Sequence, residues 1–562
     1  MRRLVAAALL LVATVTAPAA AATTTNALGP PLTPLPSVSS GAAAAIARRL
    51  PAVRAAERSH PHHFAQVTSP TSGQWQVAFY SHDQEFIQVL VSQSDGQVQG
   101  VYTGFKIAWT MARGYPGAFG RHVNSLYVWL PLCFLFLAPF FDWRRPWAIR
   151  NVDLLALTSL SISLAFFNHA DINASVPLAY PPLVYLLGRL LWGLAPRAAR
   201  QPPLRLNLPP RVLLVLLIGL IGFRVALNVE DSNVIDVGYA NVVGAHKVLH
   251  GEALYGAFPT EISRGDTYGP VSYEAYAPFV AAFGFSGAWD SLPAAHAAAI
   301  FFDLLTIALL LILGWRIRGP STGIVLAYAW AAFPFTAFAL ESNSNDALVA
   351  ALVLAALLVS SSPPARGVLG ALAGLTKFAP LALAPLLAFH RRPGLRGLAA
   401  FTLGFAAAAA LALYPALAHN SLSEIFNRTV TYQADRSAPF SIWGLYGGLR
   451  SVQTIVEAGG VALALALAFA PRRDDLAGLC AAAAAVLIAV QIGVTYWFYL
   501  YIPWFFAPAI VAILAGSGLR APRGRVRGGR RRGWITWDGV RGAWFLWRDK
   551  RLLSGGRARA VR

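Results

Sequence analysis

The apolar run VLLVLLIGLIGF (Val212–Phe223) leads into NVEDSNVIDVGYANVVGAHKVLHGEALYG (Asn228–Gly256), and this junction decides how the whole chain is read. With its neighbours the run is long enough to cross a bilayer, which takes roughly 20 residues. The stretch that follows sets Glu230, Asp231 and Asp236 close together, in a chain with only 25 acidic residues. A charge held at the centre of a membrane helix costs about 2.5–3.5 kcal/mol, so carboxylates at a helix mouth are functional candidates.

Composition extends the reading to the rest of the chain. Of 562 residues 56% are hydrophobic and 13% charged, whereas soluble domains carry about 25% charged residues. The expected fold class is mainly α, a polytopic bundle of membrane helices. The net charge of +21 lies in short basic clusters between apolar runs and in one tail, as the positive-inside rule predicts, and nucleic-acid binding is set aside. Cys133 and Cys480 both fall inside apolar segments, which implies neither a disulfide framework nor a cysteine metal site.

The start, MRRLVAAALLLVATVTAPAAAA, has the basic, apolar and small-residue regions of a secretory signal peptide (1–22). Residues 23–123 are then expected outside the cytoplasm. AAAAIARRLPAVRAAERS has helical composition, and GQWQVAFYSHDQEFIQVLVSQSDGQVQGVYTG alternates around a Ser-Asp-Gly turn, as antiparallel strands do. This small α+β domain bears a weak resemblance to the PepSY-like modules. His60, His62 and His63 read as a solvated loop, because no spacing supports a closed metal site.

About eleven apolar segments follow, near 124–142, 151–168, 175–195, 211–228, 292–314, 320–340, 346–361, 395–418, 452–471, 475–494 and 498–516. The early ones (124–210) form an accessory group, and 211–516 form the main unit. Arginine clusters between spans mark cytoplasmic ends. A further segment near 366–389 has Arg366 before it and Arg391/Arg392 after it, so parity favours a re-entrant or broken hairpin, which is tolerated only where protein or a water-filled cavity surrounds it. The loop 229–269 then faces outside. The tail 517–562, with thirteen arginines and two aspartates, reads as cytoplasmic, either lying on anionic lipid or as an ordinary basic end.

Two places carry candidate chemistry. Ile235, Tyr239, Val242, Val243 and Leu249 recur at helical spacing, which predicts an interfacial helix with Asp236 near its start. A carboxylate there is placed to act as a general base, or Asp231 or Asp236 simply caps the helix. The second is Lys377, one of four lysines, in the middle of GALAGLTKFAPLALAPLL; a compact cation suits a phosphate, and snorkelling is the bland alternative. Asn343, Asn345, Asp346, Tyr432, Gln433, Asp435, Arg436, Tyr496 and Trp497 gather on the same expected side, in a mixture that suits sugar recognition and also populates interface belts.

From about Arg211 to Gly516 the chain resembles the membrane glycosyltransferases of the GT-C superfamily, in particular glycosyltransferase family 87, the polyprenol-phosphate-mannose-dependent mannosyltransferases. DVGYANVVGAHKVLHGEALYG, DTYGPVSYEAYAPF, SNSNDALVAALVLAALL and GVLGALAGLTKFAPLALAPLL carry the resemblance, in that order. It implies an inverting transfer of a hexose, mannose first, from a polyprenyl-phosphate sugar to a lipid- or polysaccharide-linked acceptor on the extracytoplasmic face of the plasma membrane. Asp236 maps to the family's proposed base and Asp231 is the rival. Lys377 and Arg436 are expected at the donor phosphate, with Tyr239, Tyr268, Asn343, Asn345, Asp346, Tyr432 and Tyr496 as substrate contacts. No metal or other cofactor is expected, because the leaving group is already a phosphate. Rival readings are a transporter or lipid flippase, and a non-catalytic envelope assembly protein.

Overall fold

The computed structural model of the chain describes residues 38–71, 73–81, 84–103, 107, 120–195, 203–259, 262, 264–435, 438–470, 473–516 and 519–520. The signal-peptide segment, Arg436 and the tail beyond Arg520 lie outside the described residues. The chain divides into two compact units, 1–113 and 114–562.

In the first unit the helix Ser40–Arg49 starts where Ser39 accepts the Ala42 N–H, and Pro51–Ser59 follows it. Four strands, β1 (Phe64–Thr71), β2 (Gln74–Ser81), β3 (Gln84–Ser92) and β4 (Val98–Thr103), form an antiparallel meander in chain order. Val77 pairs with Val89 and Phe79 with Ile87, and these side chains are fully buried together with Ala43 and Ala47 of the first helix. The expected Ser-Asp-Gly turn joins β3 to β4, and Gly96 takes the left-handed φ of 72° that it needs. Strand β1 was not foreseen, because FAQVTSPT is mostly polar and sits at the sheet edge. His60 is not simply solvated: it stacks on Phe86 at 4.1 Å.

The second unit is helical. Among the described residues seven helices are long and apolar enough to span a membrane: Ile149–Asn168, Ile172–Gly193, Pro210–Asp231, Pro293–Arg318, Gly394–Leu417, Arg450–Phe469 and Leu476–Gly493. An eighth span arises if the pair Pro320–Ala332 and Pro334–Glu341, bent by 61°, counts as one. The remaining three of the eleven expected segments are shorter helices, Leu126–Leu137, Asp346–Leu358 and Tyr499–Ala515. Apolar composition overstated their length. Phe333 is extended because proline follows it, which breaks the 320–340 run, and polar Ser342–Asn345 separates that run from the Asp346–Leu358 helix.

The segment near 366–389 is broken as expected. Pro363–Thr376 is helical, Lys377 is extended at φ −140°, ψ 139°, and short turns of helix, Ala379–Leu383 and Ala384–Ala388, complete it. Deep between the Pro210–Asp231 and Pro293–Arg318 helices, Arg224 donates to Asp303 at 2.6 Å and to the Ala331 carbonyl at 3.1 Å. This pair holds the bend between Pro320–Ala332 and Pro334–Glu341, since Trp330, just before Phe333, also donates to Asp303 at 2.8 Å.

The Pro363–Thr376 and Gly394–Leu417 helices approach backbone to backbone. A Cβ at Gly367 would lie 2.2 Å from the Phe401 carbonyl oxygen, and one at Gly404 would lie 2.4 Å from that of Pro364. Overpacking such a contact costs about 1–3 kcal/mol. Gly404→Val is therefore expected to lower the thermal midpoint of the detergent-solubilised protein, whereas Leu403→Val, at an exposed neighbour, is expected to leave it unchanged.

Candidate active site

Everything in the site hangs on the turn Glu341–Asp346, which leaves one helix and begins the next. Asn343 adopts φ 50°, and its side chain reaches back to the Ser232 hydroxyl at 2.9 Å and the Asn233 carbonyl at 3.1 Å. The N–H groups of Asn233 and Ile235 donate to the carbonyls of Glu341 and Ser342, both at 3.3 Å. The stretch between the acidic mouth and the next helix is thus stitched to the turn. Asn228 Nδ2 donates to Asn343 Oδ1 at 2.9 Å, while Asn228 Oδ1 meets His296 Nδ1 at 3.0 Å.

The helix expected to start near Asp236 begins there and runs to His250. Its N-cap is Ile235, with no side-chain cap bond, and Asp236 is half-buried in the first turn. Carboxylates are stabilised in that position by the helix dipole. Two residues on, the helix rests on the turn: a Cβ at Gly238 would lie 2.5 Å from the Asn343 carbonyl oxygen. Further along, Asn345 donates to the Ser272 hydroxyl, which donates to Asn241 Oδ1 at 2.6 Å, and Asn241 donates to the Val237 carbonyl at 2.7 Å. Tyr239 is fully buried and stacks on Trp289 at 4.8 Å. Leu249, placed by periodicity on the buried face, is 46% exposed.

At the far end of the turn Asp346, fully buried, accepts from Lys377 Nζ at 2.6 Å and from Trp504 Nε1 at 2.8 Å. The Lys377 ammonium also lies over the rings of Tyr268, Tyr501 and Trp504, at 5.7, 5.3 and 5.0 Å. Tyr501 and Trp504 stack on each other at 4.3 Å, and the Tyr496 ring lies 6.5 Å from that of Tyr501. Each cation–ring contact contributes about 0.5–2 kcal/mol. Lys377 is 8% exposed, so it does not snorkel; it is a caged, paired cation. Asp346 Oδ2, Asn345 Oδ1 and the Tyr276 hydroxyl are buried with no hydrogen-bond partner among the described residues. Burial, and then the charge of Asp346, push the Tyr276 hydroxyl well above its ordinary pKa.

Tyr268 is aimed by its own loop. Tyr273 donates to the Gly265 carbonyl at 2.6 Å and accepts the Tyr268 N–H at 3.2 Å, while Tyr255 donates to the Tyr268 carbonyl at 3.0 Å. The Tyr273 ring packs directly against Gly244, where a Cβ would meet it at 2.1 Å. Gly269 presses on the helix that ends at Lys377, since a Cβ there would lie 1.9 Å from the Leu375 carbonyl oxygen. Glu274, on the same motif, is pushed up to about 7 by burial, and its Oε1 has no hydrogen-bond partner.

Asn343, Asn345, Asp346, Lys377, Tyr268 and Asp236 are therefore tied to one turn, and Tyr496 joins its aromatic border. Asp231 is engaged elsewhere, accepting from the His122 backbone N–H at 3.1 Å and from the His122 ring, with Arg121 at 4.0 Å. Tyr432 lies under Arg264, whose guanidinium is 5.1 Å from its ring, in a groove beyond the loop. Arg436 lies outside the described residues. Asn241, Ser272, Tyr276, Tyr501 and Trp504 escaped the sequence reading, although DTYGPVSYEAYAPF, quoted for other reasons, contains two of them. Among the described residues no group of three or more His, Cys, Asp or Glu side chains is placed to hold a metal ion.

A helical membrane unit with a cation caged at a broken helix is the class of structure these elements define. Residues 267–492 match the family model of glycosyltransferase family 87, and the chain carries a glycosyltransferase domain of that family. The match takes in Tyr268, Asn343, Asn345, Asp346, Lys377 and Tyr432, and it begins after Asp231, Asp236 and Tyr239. No curated protein and no solved structure matches the chain at a significant level.

Removing one partner of a buried ion pair leaves an uncompensated charge, at about 3–5 kcal/mol. Asp346→Ala is expected to destabilise the protein by that order, and the double change Asp346→Leu with Lys377→Met by less, in a double-mutant cycle of thermal unfolding. A loss in the double variant equal to the sum of the losses in Asp346→Leu and Lys377→Met alone would show that the two groups are not coupled.

Glu274 gives a pH signature. Its folded-state pKa of about 7 lies above its ordinary value of 4.5 because burial disfavours the ionised form, so burying it carries no ionisation cost below 4.5 and destabilises the fold increasingly as pH rises from 4.5 through 7. Glu274→Gln is expected to raise the thermal midpoint at pH 8 and to leave it unchanged at pH 4. A shift of equal size at both would refute the assignment.

Proposed function

We propose that this membrane glycosyltransferase moves a hexose, mannose, from a polyprenyl-phosphate sugar to a lipid- or polysaccharide-linked acceptor on the extracytoplasmic face, with inversion. The observation that supports this is that Lys377, in its aromatic cage, pairs with Asp346 at the end of the Glu341–Asp346 turn, while the helix that starts at Asp236 rests on Asn343 of the same turn. The acceptor hydroxyl gives its proton to the Asp236 carboxylate as its oxygen bonds to the anomeric carbon. The bond from that carbon to the phosphate oxygen breaks on the opposite face, and the phosphate leaves with the electron pair.

Lys377 offsets the charge that develops on the leaving phosphate, in a setting where water is largely excluded. The paired carboxylate of Asp346 holds the ammonium in place until the donor arrives. Asp346 Oδ2 and Asn345 Oδ1, buried acceptors without partners, suit sugar hydroxyls. Tyr268 and Tyr501, with ring centroids 5.7 and 5.3 Å from the ammonium, suit the apolar face of a hexose. Asp231, bonded to His122, serves as an anchor for the turn at residues 121–124.

Transfer of radiolabelled mannose from polyprenyl phosphate mannose, measured on membranes, tests the reading. Asp236→Asn is expected to lower kcat by about 10²–10⁴, the range for loss of a general base, with donor KM little changed. Lys377→Met is expected to lower kcat as well. Full activity in Asp236→Asn alongside loss in Asp231→Asn would transfer the role of base to Asp231. A wild-type protein that uses no polyprenyl-phosphate sugar would overturn the reading.

A further inference from the structure

The segment Leu422–Asp435 follows directly on the Gly394–Leu417 membrane helix and is nearly continuous helix, with a π-helical stretch at Asn427–Thr431. Bulges of this kind are frequent at functional sites. The segment has two faces. Leu422 and Phe426, four residues apart, are 62% and 54% exposed and continue the exposed apolar surface of Tyr414 and Leu417. On the other face Ser423, Glu424, Asn427, Arg428 and Thr431, with Tyr432 and Arg264, line an open groove of about 620 Å³.

The groove is built from beneath. Buried Asp266 accepts from Arg428 at 2.7 Å and from the Gly256 N–H at 2.9 Å, and Glu424 holds the same guanidinium at 3.2 Å and accepts from Asn420 at 3.1 Å. Arg428 is neutralised by Glu424 beside it and Asp266 beneath it, and with Arg264 the four charges sum to zero, so the groove as a whole carries no net charge. Glu, Arg and Asn side chains beside a tyrosine ring match the vicinal hydroxyls and apolar face of a sugar. Arg264 lies four positions before Tyr268, so their Cα atoms are at most about 14 Å apart, within a few sugar units of the Lys377 cage.

We infer that this groove binds the uncharged sugar headgroup of a membrane-anchored acceptor, whose lipid lies along Leu422 and Phe426. The inference rests on the transferase reading and adds to it the class of acceptor: an amphiphile, taken from the lipid–water boundary. Arg264 and Tyr432 grip the sugar that lies beyond the one being extended, and the reacting hydroxyl is carried inward along the 264–268 loop.

The test uses the full chain in nanodiscs and decyl mannoside as the probe, with methyl mannoside as its tail-free counterpart. In the transfer assay Arg264→Ala and Tyr432→Ala are each expected to raise the decyl mannoside KM by about tenfold, the range for an interface contact worth about 1.4 kcal/mol, with donor KM held within about twofold. Tyr432→Phe, which keeps the ring, is expected to retain most of the affinity. Unchanged acceptor KM in both alanine variants, or a rise in donor KM instead, would overturn the inference, as would equal KM values for the two mannosides. If the wild type transfers no sugar, the transferase reading fails; saturable binding of radiolabelled decyl mannoside, lost in Arg264→Ala, would then still support the groove, and unsaturable binding would overturn it.

Discussion

The ion pair between Lys377 and Asp346 is the constraint on which the membrane unit depends. Each residue stands at a discontinuity: Lys377 is the extended residue that ends the Pro363–Thr376 helix, and Asp346 is the first residue of the Asp346–Leu358 helix. A backbone break inside an apolar protein exposes amide and carbonyl groups that lipid cannot satisfy. Here the two breaks face each other, and the charges that would be intolerable singly are mutually neutralised. Trp504 and the rings of Tyr268 and Tyr501 complete the enclosure. The arrangement is conditional in the way buried pairs are: it holds the fold together only while both partners are present.

Much of this was legible in the sequence, for reasons that differ from residue to residue. Lys377 stood out because a rare residue type occupied the middle of an apolar run. The start of the helix at Asp236 was visible because periodicity of 3.6 begins there. The break near Lys377 followed from charge parity alone. By contrast, Tyr501 and Trp504 lay in an aromatic-rich apolar stretch whose composition equally describes an interface belt, so nothing local distinguished a cage from a girdle. Asn241 and Ser272 are small polar residues whose importance is the bond between them, and a bond between positions 31 apart leaves no periodic trace.

The count of spans shows the same limit from the other side. Hydropathy detects which segments avoid water but not how far a helix continues, and Phe333 ahead of Pro334 is enough to turn one long run into two rods at 61°. Apolar segments that look equivalent in sequence thus divide into helices long enough to cross and shorter ones packed among them. The Asp346–Leu358 helix is of the second kind, with most of its residues buried, and it brings the site's acid to the break. The groove at Arg264 and Tyr432 was only half visible, since its aromatic residue was noticed and its arginine, 168 positions earlier, was not.

The glycines at 238 and 269 set the separation of the site's parts by main-chain contact, with Gly238 against the Asn343 carbonyl and Gly269 against that of Leu375. Spacing fixed by peptide atoms does not vary when side chains change. The frame that carries the carboxylate and the ammonium is therefore decoupled from the residues that line the path to it. A lineage of such proteins is free to alter the lining by substitution, while the separation of the carboxylate and the ammonium stays constant.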